Sequence, residues 1–219
     1  MLKRITLFAG HYGSGKTNIA VNYAIHIKKK GFPVVIADLD IVNPYFRTKD
    51  SEKELKENSI ELLCSEFAGS NLDIPALPQS MYRAVQDKNT YAVMDIGGDD
   101  AGAIALGRFA PYILEEDNYE MFFVVNFFRP LTRTAEDAYI VMKEVEQASG
   151  IKFTAIINNS NLGEMTTADD VLSTVEETKK LSELSLLPIK MTSAESEVCS
   201  ALKGKIDNLF PLKLQSKII

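Results

Sequence analysis

Short apolar runs alternate along this chain with longer segments in which apolar residues recur every three to four positions. The runs at 5–9, 33–37, 60–63, 91–96, 121–126, 153–158 and 186–189 are predicted strands. Their unbroken apolar character is that of strands covered on both faces. Between the first two, Ile19, Ala20, Tyr23, Ala24 and Ile27 mark one face of a helix. Further helices are predicted at 48–58, 78–88, 101–114, 134–149 and 167–184, with Ala135, Ala138, Met142 and Val145 sharing a face of the fifth. Thr192 and Glu195 read as a capping box for a last helix running to about residue 205. Asp99 and Asp100 suit a helix N-terminus. The alternation predicts an α/β fold: a single domain over 1–219 with a mostly parallel sheet of about seven strands and helices on both faces.

Ligands bind such sheets at the carboxyl ends of the strands, and the chemistry-bearing residues fall there. Gly10, His11, Tyr12, Gly13, Ser14, Gly15, Lys16 and Thr17 match G-x-x-x-x-G-K-[ST] between the first strand and the first helix, where a phosphate-binding loop belongs. Its backbone N–H groups and the helix N-terminus cradle the phosphates, Lys16 adds a charge, and the Thr17 hydroxyl is placed to ligate Mg²⁺. Asn18 follows directly and is counted with the nucleotide site. Asp38 and Asp40 end the second strand, which is expected beside the P-loop strand. Asp40 is the candidate for positioning the attacking water, and Asp38 supports Mg²⁺ or its waters. Asp95 before Gly97 and Gly98 fits a carboxylate that orients the water around the metal, with the Gly98 amide in reach of the γ-phosphate. Residues 41–48 then read as a switch loop ordered by the γ-phosphate.

Composition narrows the partners. The 219 residues are 46% hydrophobic and 25% charged, with a net charge of −6, which argues against wholesale binding to nucleic acid or anionic membrane. The two cysteines, Cys64 and Cys199, form no C-x-x-C pair, so neither a disulfide framework nor a zinc or iron–sulfur site is signalled. No apolar stretch is long enough to span a bilayer, and a cytoplasmic protein is expected. The amphipathic segment 201–219 is interrupted by Gly204 and Pro211 and is expected to pack on the sheet rather than to lie on a membrane.

Together, residues 10–17, the Asp38-Leu39-Asp40 triplet, Asp95 before the glycine pair, and Asn158-Asn159 after a late strand resemble the MinD/ParA family of P-loop ATPases. The class also holds signal-recognition and dethiobiotin-synthetase-like proteins. The resemblance implies ATP and Mg²⁺ as cofactors, metal support by Thr17, Asp38, Asp40 and Asp95, and an adenine-facing asparagine at Asn158 or Asn159. It also implies a homodimer, in family members formed with ATP, and a protein partner switched by the nucleotide. One position departs from the pattern: the family's second P-loop lysine is replaced by His11. His11 is either a hydrogen-bond donor across a dimer or a loop residue without a catalytic part. Arg47, Arg129 and Arg133 are candidate substitute cations.

Two other readings share the scaffold. One is an ATP-dependent small-molecule enzyme of ligase or kinase type, with a substrate pocket near 67–77. The other is a metal-chaperone-like GTPase, which the P-loop also resembles; against it stand Asn158-Asn159-Ser160-Asn161 in place of N-K-x-D and the lack of a Cys/His cluster. A non-hydrolysing nucleotide sensor is a third.

Overall fold

The computed structural model describes residues 2–40, 48–64 and 78–215. In chain order they form β1 (Ile5–Ala9), α1 (Lys16–Lys29), β2 (Val34–Leu39), α2 (Glu52–Glu57), β3 (Glu61–Leu63), α3 (Arg83–Gln86) and β4 (Tyr91–Ile96). Next come α4 (Asp100–Gly107), α5 (Ala110–Glu116), β5 (Tyr119–Val125), α6 (Ala135–Ser149) and β6 (Ala155–Asn158). The chain finishes with α7 (Ala168–Ser173), α8 (Val175–Ser185), β7 (Ile189–Glu195), α9 (Ser196–Leu202) and β8 (Leu209–Leu212). Short 3-10 turns precede α2 and α3 at Thr48–Ser51 and Gln79–Tyr82.

All eight strands are parallel, in the order β3-β2-β4-β1-β5-β6-β7-β8. The pleat divides β1 between two cores: Ile5, Leu7 and Ala9 face one layer and Phe8 the other. The first layer packs on Leu106 and Phe109, on Ile113 of α5, and on Ala138 and Met142 of α6; the second packs on Ile19, Ala20, Tyr23 and Ala24 of α1. Each such aliphatic or aromatic side chain, removed from water, stabilises the fold by about 1.5–3 kcal/mol. The expected covering of both faces is therefore present.

Several elements differ from the expectation, each for a local reason. β2 does not border β1, because β4 lies between them and pairs Asp95 with Phe8 on one side and Asp38 on the other. The run at 186–189 is not the seventh strand: Leu186 is the left-handed C-cap of α8 and 90% exposed, and the strand begins at Ile189. Thr192 lies inside that strand, so it cannot head a capping box, and Glu195 precedes α9 with no side-chain cap. An eighth strand follows at the edge. The helix expected at 101–114 breaks between Gly107 and Ala110, since Pro111 lacks an N–H and its ring is tolerated only in a first helical turn. Asp99, as expected, caps α4 by accepting from the Gly102 amide at 2.9 Å.

Candidate functional site

Every strand ends on the same edge of a parallel sheet, so β1, β2, β4, β6 and β7 deliver their C-terminal residues to one place. A cavity of about 830 Å³ opens there, bounded by the P-loop, Asp40, the 159–166 segment, Ala194–Glu195 and the chain from Leu212 to Gln215. Of the sequence-predicted residues, His11, Tyr12, Gly13, Gly15, Lys16, Thr17, Asn18, Asp40 and Asn159 line it. Gly10 lies behind it with φ 150, tight against the Val124 carbonyl of β5.

The phosphate end is built around Lys16. The side chain is buried and donates to the His11 carbonyl at 3.1 Å, drawing the loop into a ring around its own ammonium. Burial pulls the lysine below its ordinary range, opposed by the charges of Asp95, Asp40 and Asp99. Gly98 closes the ring from β4: a Cβ there would stand 2.6 Å from the Tyr12 nitrogen and 2.8 Å from Lys16 Nζ. No side chain fits between the P-loop and the 97–98 turn, which keeps the Gly98 backbone against the phosphate cradle.

Asp95 lies at the floor. Its Oδ2 accepts from the Thr48 hydroxyl at 2.9 Å, while Oδ1 is buried without a hydrogen-bond partner. Burial pushes the carboxyl up to about 6, against the hydroxyls of Thr17 and Thr48 and the Lys16 charge. The Ser14 hydroxyl is likewise buried and unpartnered. An orphaned buried polar group costs about 1–3 kcal/mol. Two of them around one lysine, beside the Thr17 hydroxyl, fit a site whose remaining partners are phosphate oxygens and metal-bound water. Among the described residues no group of three or more His, Cys, Asp or Glu is placed to hold a metal by itself.

Asp38 and Asp40 are both buried, and of the two only Asp40 lines the cavity. Asp38 is buried, and its Oδ1 accepts from the Asp40 amide at 2.9 Å, which fixes the turn at the end of β2. Asp40 reaches the cavity and packs against Gly97, whose Cβ position would be 3.4 Å from Asp40 Oδ1. Residues 41–47 of the expected switch loop 41–48, Arg47 among them, the proposed substrate pocket at 67–77, and residues 216–219 lie outside the described residues.

The two asparagines are used internally. Asn158 turns away from the cavity: its amide donates to Thr174 Oγ1 at 3.0 Å and its oxygen accepts from the Ser160 amide and hydroxyl. That contact lies where the helix expected at 167–184 divides into α7 and α8. Asn159 braces the P-loop, donating to the Ser14 carbonyl at 2.7 Å and accepting from Ser193 at 2.8 Å. Thr48 ends the expected switch loop 41–48 and Asn161 ends the tetrapeptide compared with N-K-x-D, whereas Ser193 and the 212–215 segment join the site without a motif. The last is pinned by Asn22, whose Oδ1 accepts from the Lys213 amide at 2.9 Å and whose Nδ2 donates to the Lys213 carbonyl at 3.0 Å. Gln215 then donates to Ser51, three residues from the threonine that holds Asp95.

No helix among the described residues is long and apolar enough to cross a membrane. No protein-family model and no curated protein matches the chain. Solved structures do. The cell division protein FtsY of Thermotoga maritima superposes with a TM-score of 0.64 at 16% identity, covering 88% of this chain and 62% of that one. FtsY of Mycoplasma mycoides gives 0.60 at 20% identity, covering 88% and 61%. The signal recognition particle 54 kDa protein of Aeropyrum pernix, in complex with GDP, gives 0.56 at 16% identity, covering 88% and 41%. The chain thus spans about three fifths of the length of the FtsY structures and less of the last. The similarity is one of architecture: an eight-stranded parallel sheet with helices and a P-loop, the fold of a P-loop NTPase.

Proposed function

We propose that the chain binds Mg²⁺–ATP at the P-loop and hydrolyses it slowly, as a MinD/ParA-type switch that controls a protein partner. The observation that carries this reading is the pair of orphaned buried atoms, Ser14 Oγ and Asp95 Oδ1, set around the lysine of an intact phosphate loop. Phosphate oxygens satisfy the loop amides and Lys16, and Thr17 supplies a hydroxyl to the metal. Bound Mg²⁺ would supply positive charge against the charge that develops on the phosphates. Thr17 and, through water, Asp95 would hold it, and Asp40, which lines the cavity, would orient the attacking water. Adenine is favoured over guanine because Asn161, not an aspartate, ends the tetrapeptide that corresponds to N-K-x-D. Both ends of its amide are engaged, by the Asn159 carbonyl and the Gly163 amide. GTP is the essential control, since the Aeropyrum protein was solved with GDP.

The test is nucleotide binding, hydrolysis and molecular mass for wild type, Lys16→Ala and Asp40→Ala, with Mg²⁺ and ATP or GTP. Expected are binding lost in Lys16→Ala and turnover lost with binding kept in Asp40→Ala. A mass that doubles with ATP would extend the switch to a homodimer. Binding without turnover in wild type would replace the ATPase by a sensor, and turnover only with an added metabolite would replace it by the small-molecule enzyme.

A further inference from the structure

The charges around the cavity do not balance with Lys16 alone. Asp40, Glu164 and Glu195 line it, Asp38 and Asp95 are buried at the ends of β2 and β4, and Asp99 acts on the same lysine. A nucleoside triphosphate adds about four negative charges and its magnesium removes two. Among the described residues only one further lysine or arginine lines the cavity, and that is Arg129, in the turn after β5.

Arg129 is held in a defined pose. Its Nε donates to the Gly13 carbonyl at 2.8 Å. The guanidinium packs against the P-loop: a Cβ on Gly13 would be 3.2 Å from Nε and 3.4 Å from Cζ. The left-handed φ of 76 favours glycine at 13, and its bare backbone lets the arginine approach. Nη1 and Nη2 have no hydrogen-bond partner among the described residues, so a fork of donors is left at the cavity mouth. The backbone beneath it is braced by buried Asn126, whose carbonyl accepts from the Arg129 amide at 3.1 Å and from Thr132 Oγ1 at 2.7 Å. Its side chain joins the same turn to residue 161, with Nδ2 donating to the Asn161 carbonyl at 3.1 Å and Oδ1 accepting from the Phe128 amide at 3.0 Å.

We infer that Arg129 is a phosphate-binding residue, supplying from within the same chain the second fixed cation of the site. The assignment rests on the nucleotide-binding reading above and adds to it. An arginine anchored through Nε keeps its planar terminal pair aimed, so little ordering entropy remains to be lost when phosphate oxygens arrive. Arg133, the neighbouring candidate, does not line the cavity.

The experiment is titration calorimetry of the full chain with ATP, ADP and AMP in Mg²⁺ at several salt concentrations, for wild type, Arg129→Ala, Arg129→Lys and Lys16→Ala, with melting temperatures of the ligand-free proteins. Arg129→Ala is expected to weaken ATP about tenfold to a hundredfold, ADP less and AMP hardly at all. The dependence of affinity on salt should become shallower, and Arg129→Lys should fall between. ATP affinity within twofold of wild type would overturn the assignment. An equal loss for all three nucleotides with a lowered melting temperature would also overturn it, leaving Arg129 as a brace for Gly13. If wild type binds none of the nucleotides, the binding reading and the assignment fall together. If only Arg129→Ala is silent while Lys16→Ala loses binding, the assignment alone falls.

Discussion

Replacing Asp95 by asparagine should make the ligand-free protein more stable while removing its metal chemistry. The carboxyl is fully buried and its ionisation lies at about 6, against an ordinary value of 3.8. A carboxyl raised in the folded state holds its proton more tightly there than in the unfolded chain. The stability this gives is fully present below pH 3.8 and is lost as pH rises through about 6. The difference corresponds to about 3 kcal/mol, which the wild type forgoes at pH 8 and a neutral isostere retains. The favourable charge of Lys16 already acts on that value, so it is not added again. For a domain of this length about 3 kcal/mol is roughly 6–12 °C in melting temperature. Thermal melts of wild type and Asp95→Asn at pH 8 and pH 4, without nucleotide, read the effect. The variant should melt higher at pH 8, and the two should converge near pH 4. Adding Mg²⁺–ATP should raise the wild type and do little for the variant. A variant that melts at or below wild type at pH 8 would refute the claim that burial of an orphaned carboxylate dominates here.

Two further substitutions probe the cradle. Gly98→Ala places a methyl against the Tyr12 backbone and Lys16, and should cost about 1–3 kcal/mol and at least tenfold in nucleotide affinity, read by melting and calorimetry. Asn159→Ala strips the Ser14 carbonyl and Ser193 of their partner, and should lower stability by about 1–3 kcal/mol in urea titration and weaken nucleotide binding with it.

The P-loop half of the site was legible because its chemistry is local. Glycines, Lys16 and Thr17 are contiguous, and Asp95 lies near the end of an apolar strand. The other half was not, because it is assembled from distant polar residues. β7 hides in Lys-Met-Thr-Ser-Ala-Glu, whose central residues are buried by cross-strand partners such as Asn159 rather than by hydrophobicity. The more apolar stretch just before it is a helix cap. β8 was obscured by Pro211, a residue barred from central strands but tolerated at an edge, where one side of the backbone needs no partner. Strand order was invisible too: the crossover that inserts β4 between β2 and β1 depends on packing that no local pattern encodes. The asparagines were singled out by resemblance alone, and the sequence did not show that the fold also bonds them to itself: Asn159, which lines the cavity, to Ser14 and Ser193, and Asn158 to Thr174 and Ser160.

The cavity also has a mechanical character. One wall is the beginning of the fold, residues 11–18, and another is Leu212 to Gln215, carried by an edge strand that contains a proline and has β7 as its one neighbouring strand. A ligand touching both walls acts as a staple between stretches almost two hundred residues apart. At a concentration a hundred times its dissociation constant it resists opening by about 2.7 kcal/mol. The converse is that this wall is only as firm as its own bonds, to β7, to Ser196 and to Asn22. Drawing β8 away would take one side of the cavity with it while the strands at the centre stay paired.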